Sequence, residues 1–270
     1  MPITHEIALV MVLIVTVVSF FIGILLGKAS PAWLKAGIAF ATLAIVVRMM
    51  LLRNPEIEYR LFKDDWYSFI RPWWGYPLGT FLTGAAIPLV SRFSVRVLSK
   101  AAAVLVLFVS GRAVMAALAM DYSTLQGNYP NPDSGLVTQK TTYSCGAASS
   151  AMLLNLHGIR TSEGEMAEIC MTNAAFATDE FNVRRGIRKK LAATGLLVKL
   201  EVIDFQTLKN HRKPPMMAVI KFEHLLDHWV VIKSISDRGD FEILDPIGEQ
   251  KVYSSAEFDE IWKGKILYIY

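Results

Sequence analysis

The sequence predicts two units of different fold class: an α-helical transmembrane region of about four helices in residues 1–120, and an α+β domain in residues 136–270. Three observations predict this division. Hydrophobic residues make up 53% of the 270 residues and charged residues only 19%, and the apolar runs are concentrated before residue 120. After residue 136 the hydrophobic periodicity is first that of helices and then that of short strands. Helices followed by a mainly antiparallel sheet are typical of α+β domains.

Four apolar segments predict the membrane helices, at about residues 7–27, 32–52, 72–90 and 101–120. At about 1.5 Å per residue, a segment of about twenty residues crosses a hydrocarbon core of about 30 Å. No Lys or Arg precedes the first segment, which favours a retained helix over a signal peptide. The third is rich in Gly and Pro, so a re-entrant segment is its alternative. The fourth contains Arg112, which either contacts a neighbouring helix or substrate, or snorkels to the interface.

The orientation of these helices is weakly determined. The Lys and Arg counts of the predicted loops are tied, so the positive-inside rule does not decide between the two sides. Residues 121–139 and the N-terminal segment contain no Lys or Arg, which favours an extracytoplasmic C-terminal domain, with a cytoplasmic one as the alternative. We expect an integral protein of a bacterial inner or cell membrane, with the lipid bilayer as a partner. Residues 121–135 are rich in turn formers and predict a linker. The sequence does not indicate the oligomeric state.

Cys145 is the central candidate residue of the second unit. A polar loop leads into it, and the small and apolar residues that follow predict a helix as far as about His157, ended by Gly158. The unpaired N–H groups and the dipole at a helix start favour a thiolate, so Cys145 is a candidate nucleophile. Cys170, at the end of an amphipathic stretch, is predicted to be a buried structural residue.

The remaining elements are predicted from caps and from β-rich runs. Ser162 and Glu165 have capping-box spacing and open a second helix, and a third begins at Thr178 or Asp179. A short helix over residues 256–262 follows Ser254 as its cap. The predicted strands are residues 196–203, 216–222, 228–236, 241–245, 250–253 and 266–270.

A histidine and a carboxylate are predicted to meet Cys145. A turn at residues 237–240 pairs the strand that His228 opens with the strand that Asp245 closes, and those two ends lie side by side in an antiparallel hairpin. Asp245 would then hold the imidazole and stabilise the imidazolium. Gln139 precedes the cysteine helix, where its amide and the Cys145 N–H could stabilise an oxyanion.

Other histidines and carboxylates leave alternatives open. His224 is the alternative base if the strand register is shifted. A metal site formed by His224 and His228 is a further alternative, although their spacing of four suits a helix and the sequence around them predicts a strand. Asp227 directly precedes His228, so in a strand its side chain points to the opposite face.

Gln139, Cys145-Gly146-Ala147-Ala148, the His228 strand and Asp245-Pro246 follow one another in an order and spacing that resemble the C39 family of papain-like cysteine peptidases. The resemblance covers about residues 130–270. The best-known members remove leader peptides, which end in a double glycine, from bacteriocin precursors. The resemblance implies a papain-like fold, catalytic Cys145, His228 and Asp245, and an oxyanion hole formed by Gln139 and Cys145.

The sequence therefore predicts a membrane-anchored cysteine peptidase that acts on a peptide or protein substrate, itself membrane-associated. No metal or organic cofactor is expected. Nucleic acid is not an expected partner, because the basic cluster at residues 184–190 has no binding motif beside it. The cluster is interpreted as a solvated helix face, with a contact to anionic lipid or to an acidic substrate as the alternative. The alternatives are an acyl or peptidyl transferase with the same thioester chemistry, and a catalytically silent peptide-binding module.

Overall fold

The computed structural model describes residues 5–28, 31–63, 65–73, 75–91, 111, 122–174, 176–210, 214–223 and 226–270. The chain divides into two compact units, Met1–Ala119 and Met120–Tyr270. The first unit is helical in its described residues, and the second contains helices and one sheet.

Five helices are described in the first unit: α1 (His5–Lys28), α2 (Pro31–Arg53), α3 (Pro55–Leu61), α4 (Asp65–Ile70) and α5 (Gly75–Ser91). Helices α1 and α5 approach each other at two glycines. A Cβ atom on Gly23 would lie 2.3 Å from the carbonyl oxygen of Phe81, and one on Gly84 would lie 2.2 Å from that of Phe20. Only glycine allows this backbone contact, a packing mode common between membrane helices.

A buried carboxylate links the end of α2 to α3 and α4. Glu58 accepts hydrogen bonds from Arg48 Nη1 at 2.6 Å, from the Tyr67 hydroxyl at 2.6 Å and from Arg71 Nε at 2.9 Å. Burial by itself raises the pKa of Glu58, but the hydrogen bond and charge of Arg71, with help from Tyr67 and Arg48, leave that pKa lowered. Glu58 is therefore a charged residue that fixes the connection between these helices.

The prediction of four membrane-spanning helices is not supported by the described residues, which contain one helix long and apolar enough to cross a membrane, α2. The predicted span at residues 7–27 falls on α1, of which Ile14–Lys28 is the part with described side chains and no gap, and that part is shorter than a span. The third predicted span falls on α5, which has 17 residues. The fourth, residues 101–120 with Arg112, lies outside the described residues apart from residue 111.

The second unit places three helices before its sheet, as predicted. A 3-10 helix, Tyr122–Leu125, is followed by α6 (Cys145–Leu156), α7 (Glu163–Ile169) and α8 (Glu180–Leu191). Strand β1 (Val198–Val202) and helix α9 (Phe205–Lys209) come next. The remaining elements are β2 (Met216–Glu223), β3 (Leu226–Ile235), β4 (Phe241–Asp245), β5 (Glu249–Tyr253), α10 (Ser255–Ile261) and β6 (Trp262–Ile269).

The six strands form one antiparallel sheet in the order β1-β6-β2-β3-β4-β5. One buried cluster on the sheet includes Phe241 and Phe258, whose rings stack 4.4 Å apart. Helix α6 packs against the sheet through Ser149, whose hydroxyl donates to the Trp229 carbonyl of β3 at 2.9 Å. The sheet therefore supports the helix that carries Cys145.

The α+β arrangement, helices followed by an antiparallel sheet, is confirmed. The bounds of several elements differ from the prediction; β6, for example, begins at Trp262, four residues before the predicted strand. Strand β3 begins at Leu226, two residues before His228. Helix α9, which the sequence analysis did not predict, begins at the Asp204 cap, whose carboxylate accepts the Thr207 N–H at 2.7 Å. Five residues are too few to produce a helical hydrophobic period.

Candidate active site

Cys145 is the first residue of α6 and is 8% exposed. Small residues follow it in this helix, and residues 145–154 are all buried. Gly146 is the most constrained of them: a Cβ atom there would lie 2.7 Å from Thr178 Cβ and 3.2 Å from Trp229 Cδ1. The side chains after Cys145 are therefore small because the first turn of α6 is packed tightly between Thr178 and strand β3.

The loop before Cys145 is held by its own side chains. The Ser144 hydroxyl donates to the Thr141 carbonyl at 3.0 Å and accepts the Thr141 N–H at 3.2 Å, so it is directed away from the N–H groups of α6. Gln139 Nε2 also donates to the Thr141 carbonyl, at 2.8 Å. One Nε2 hydrogen of Gln139 is thereby fixed, and the second is left for another acceptor.

Gln139 is connected to the Asp245 turn as well. Its backbone N–H donates to the Pro246 carbonyl at 2.6 Å. Its Oε1 atom is buried and has no hydrogen-bond partner among the described residues. A buried polar atom without a partner is costly, and such atoms are concentrated at functional positions.

His228 and Asp245 form a buried pair. His228 Nε2 lies 2.7 Å from Asp245 Oδ1, and each residue is 4% exposed. Asp245 Oδ1 also accepts the Ile247 N–H at 3.1 Å, which fixes the carboxylate in its turn. Because Nε2 is used by Asp245, Nδ1 is the ring nitrogen that remains for the Cys145 sulfur.

Cys145 reaches the same imidazole and changes its titration. Burial by itself lowers the pKa of His228, but hydrogen bonds to Asp245 and to Cys145, together with their charges, raise that pKa to about 9. The imidazole is therefore held as an imidazolium at neutral pH. A buried imidazolium between a carboxylate and a sulfur is the arrangement that favours a thiolate.

Phe222 is a site residue that the sequence analysis missed. Its ring centroid lies 4.9 Å from that of His228 at an interplanar angle of 34°, and its side chain is 46% exposed. It covers one face of the imidazole where the site meets solvent. The only signal in the sequence was its place at the end of a predicted strand, and that place does not identify its neighbour.

The other candidate residues have simpler positions. Asp227 is exposed and pairs with Lys263 at 3.5 Å, away from the imidazole of its neighbour. His224 lies outside the described residues, so its role as an alternative base or metal ligand stays a prediction. Within the described part of the chain, no group of three or more His, Cys, Asp or Glu side chains could hold a metal ion.

Cys170 is fully buried, both cysteines are free thiols, and burial raises the pKa of Cys170 to about 12.

The assembled groups have the chemistry of acyl transfer. A thiol at a helix start, a paired imidazole and a nearby amide can provide a nucleophile, a proton carrier and a donor to a developing oxyanion.

Two proteins from Methanothermobacter species are similar to about half of the chain. An uncharacterised protein from Methanothermobacter marburgensis is 28% identical over 138 residues, which cover 51% of this chain and 89% of that protein. An uncharacterised protein from Methanothermobacter thermautotrophicus is 29% identical over 137 residues, with the same coverage of each chain.

Two solved structures are also similar to about half of the chain. The first is a double glycine motif protease from an AMS/PCAT transporter in complex with the leader peptide, with 22% identity, a TM-score of 0.43, and coverage of 54% of this chain and 95% of that one. The second is the peptidase domain of Streptococcus ComA, described as a bifunctional ABC transporter of a quorum-sensing pathway, with 23% identity, a TM-score of 0.43, and coverage of 50% and 96%.

A sequence profile decides the family. The profile of the peptidase C39 family matches residues 133–270, which is just over half of the chain. The helices followed by an antiparallel sheet fit the papain-like C39 fold. This chain therefore belongs to the peptidase C39 family.

Proposed function

We propose that this protein is a membrane-associated cysteine peptidase in which Cys145, His228 and Asp245 act as a triad. The observation that carries the proposal is the imidazole of His228, which is bonded to Asp245 at 2.7 Å and whose pKa Asp245 and the Cys145 thiol raise to about 9. A charged imidazole beside a cysteine at a helix start is the preorganised state of a thiolate nucleophile.

The reaction begins when the Cys145 sulfur attacks the carbonyl carbon of a substrate amide. A carbon–sulfur bond forms, and the carbonyl electron pair moves to oxygen. The His228 imidazolium then gives its proton to the amide nitrogen, the carbon–nitrogen bond breaks and the amine leaves. Water attacks the resulting thioester, His228 takes a proton from that water, and the carboxylic acid is released while the sulfur leaves as a thiolate.

Gln139 and the Cys145 backbone N–H are the proposed donors to the oxyanion. The bond from Gln139 Nε2 to the Thr141 carbonyl fixes the amide and leaves its second hydrogen for the substrate oxygen. Ser144 leaves the Cys145 N–H uncapped because its hydroxyl bonds Thr141. Loss of one such donor typically costs about 100- to 1,000-fold in kcat.

The proposed substrate is a peptide or protein associated with the membrane, such as a precursor with a leader peptide. Two observations support this location. Helix α2 is a candidate span, and only 17% of its apolar stretch is buried within the chain. We propose integral insertion through the first unit, with the second unit on the extracytoplasmic side. The absence of Lys and Arg from residues 121–139 supports the extracytoplasmic side.

The deciding test uses the full-length protein in detergent micelles and the amide of acetyl-Gly-Gly with 7-amino-4-methylcoumarin. We expect the wild type to release the coumarin and Cys145→Ala to release none. The matched control is Cys170→Ala, which removes the other thiol and should leave the rate unchanged. Cleavage by Cys145→Ala at the wild-type rate would contradict the proposal.

Labelling with iodoacetamide separates the remaining functions. Cys145 should be alkylated much faster than Cys170, because only Cys145 is both reachable and paired with an imidazolium. Equal labelling of the two thiols would indicate a catalytically silent binding module. A product that carries the mass of an added amine, found by mass spectrometry, would indicate a transferase instead of a hydrolase.

A further inference from the structure

Glu163, the first residue of α7, has a fully buried carboxylate with two partners on different segments. Its Oε1 accepts the backbone N–H of Lys140 at 3.1 Å, and its Oε2 accepts a hydrogen bond from Asn128 Nδ2 at 2.6 Å. A buried charge is retained only where such bonds compensate its desolvation. The carboxylate therefore connects the segment around Asn128 with the loop around Lys140.

Asn128 completes the connection on the other side of the loop. Its Nδ2 also donates to the Thr138 carbonyl at 2.7 Å, and its own carbonyl accepts the Glu163 N–H at 2.9 Å. Asn128 and Glu163 thus bind each other twice, and their remaining bonds fall on Thr138 and Lys140. These are the two residues that flank Gln139.

We infer that Asn128 and Glu163 are positioning residues that hold the backbone on both sides of Gln139 and so aim its amide at the oxyanion. This inference rests on the proposed function. The Gln139 N–H is already bonded to the Pro246 carbonyl at 2.6 Å, so three consecutive residues of the loop are fixed by side-chain or backbone partners from elsewhere in the chain.

Asn128 lies outside the residues that the family profile matches. The C39 profile begins at residue 133, so Asn128 lies in the segment that precedes the family domain. That segment is packed in place: Leu125 is buried, and a Cβ atom on Gly164 would lie 2.7 Å from the backbone of Leu125 and Gln126. The segment predicted as a linker therefore provides a support for the oxyanion loop.

Two reactive probes distinguish positioning from general stability in the full-length protein. With N-acetyl-glycyl-glycinal, the Cys145 sulfur adds to the aldehyde carbon and leaves an oxygen at the oxyanion position. Iodoacetamide alkylates the sulfur and forms no oxyanion. We expect Asn128→Ala and Glu163→Gln to weaken aldehyde binding by about tenfold or more, and to change the alkylation rate of Cys145 by less than about twofold.

Two control variants lie beside the mutated positions. Asn131→Ala removes an asparagine whose side chain accepts the backbone N–H groups of Asp133 and Ser134. Glu165→Gln changes a carboxylate of the same helix that bonds Thr161, Ser162 and Lys190. Both controls should bind the aldehyde as the wild type does.

The outcomes that overturn the inference are distinct. Wild-type aldehyde affinity in both Asn128→Ala and Glu163→Gln overturns it and leaves the peptidase proposal standing. A parallel fall in aldehyde binding and alkylation means that the variants disturb the whole site, which overturns a positioning role. A wild type that is alkylated at Cys145 but does not bind the aldehyde overturns the peptidase proposal and this inference together.

Discussion

At the scale of single residues, the imidazole of His228 is enclosed by three groups of different chemistry. Asp245 accepts from one nitrogen at 2.7 Å, the Cys145 thiol acts on the pKa of the ring, and the Phe222 ring covers one face. Burial alone would keep the ring neutral. The two acidic partners outweigh burial, so the charge of His228 depends on Asp245 remaining ionised.

We expect this dependence in the pH profile of kcat/KM. The raised pKa of His228, about 9, means that the imidazolium persists through neutral pH and loses its proton as the pH rises through about 9. Asp245→Asn removes a charge that raises this pKa, so the alkaline limb should move down by about one pH unit or more. The measurement is cleavage of the coumarin amide between pH 5 and about 10.

Asp227→Asn is the matched control for this profile, because Asp227 is exposed and pairs with Lys263. Its alkaline limb should stay where the wild-type limb lies. An unchanged limb in Asp245→Asn would mean that Asp245 does not set the titration of His228.

At the scale of elements, α7 and α8 meet where Gly186 faces the thiol of Cys170. A Cβ atom on Gly186 would lie 2.3 Å from Cys170 Sγ and 3.4 Å from Met166 Cε. We expect Gly186→Ala to lower the free energy of unfolding by about 1–3 kcal/mol, because an extra methyl group overpacks this contact. Urea unfolding followed by tryptophan fluorescence measures the change.

The rescue variant for this contact is Gly186→Ala combined with Cys170→Ala, which removes the sulfur that the new methyl group would meet. Most of the lost stability should return in the double variant, since the total volume is nearly kept. If the double variant is as unstable as the sum of the two single variants, the close contact between Gly186 and Cys170 is not the cause.

The helices of the second unit other than α9 were predictable because their signals are local. The Ser162–Glu165 and Ser254–Glu257 pairs form capping boxes, and Gly158 adopts a positive φ of 77° just after α6. The start of β3 was not predictable to the residue. Its first two residues precede His228 and pair with the end of β2 next to a register shift. Such a shift depends on how the two strands pair, which the local sequence does not show.

At the scale of the whole molecule, the described helices of the first unit expose large apolar side chains and bury a charged one. Large apolar side chains of α2 such as Phe40 and Leu43 are 71% and 61% exposed, whereas Glu58 of α3 is fully buried. Exposed apolar side chains around a buried ion pair suit hydrocarbon better than water.

We therefore expect the full-length protein to stay in the membrane pellet after an alkaline carbonate wash. Leu43→Asp combined with Val46→Asp should reduce that retention, because each charge near the middle of a span costs about 3 kcal/mol on insertion. Immunoblots of pellet and supernatant give the distribution.

The control for retention places the same charges on exposed apolar positions of the second unit, Leu197→Asp and Val252→Asp. These should not change the distribution. Release of the wild type into the supernatant would contradict insertion of the first unit.

The candidate site shows what sequence could and could not predict at this scale. Cys145, His228 and Asp245 could be proposed because each stands at an element end where its chemistry is useful. Phe222, Asn128 and Glu163 could not, since each acts through a contact with a different element or loop, and for Asn128 and Glu163 the contacting segments are distant in sequence. Ser162 and Glu165 drew attention to the start of α7, but a capping pattern does not show where the intervening Glu163 carboxylate points.

The bond from the Gln139 N–H to the Pro246 carbonyl has one more consequence. It joins the loop that carries the Gln139 amide to the turn that carries Asp245, so the two form one connected unit beside the Cys145 end of α6. A compound that binds between this unit and α6 and moves them apart would therefore disable two functions at once: proton transfer supported by Asp245 and stabilisation of the oxyanion by Gln139.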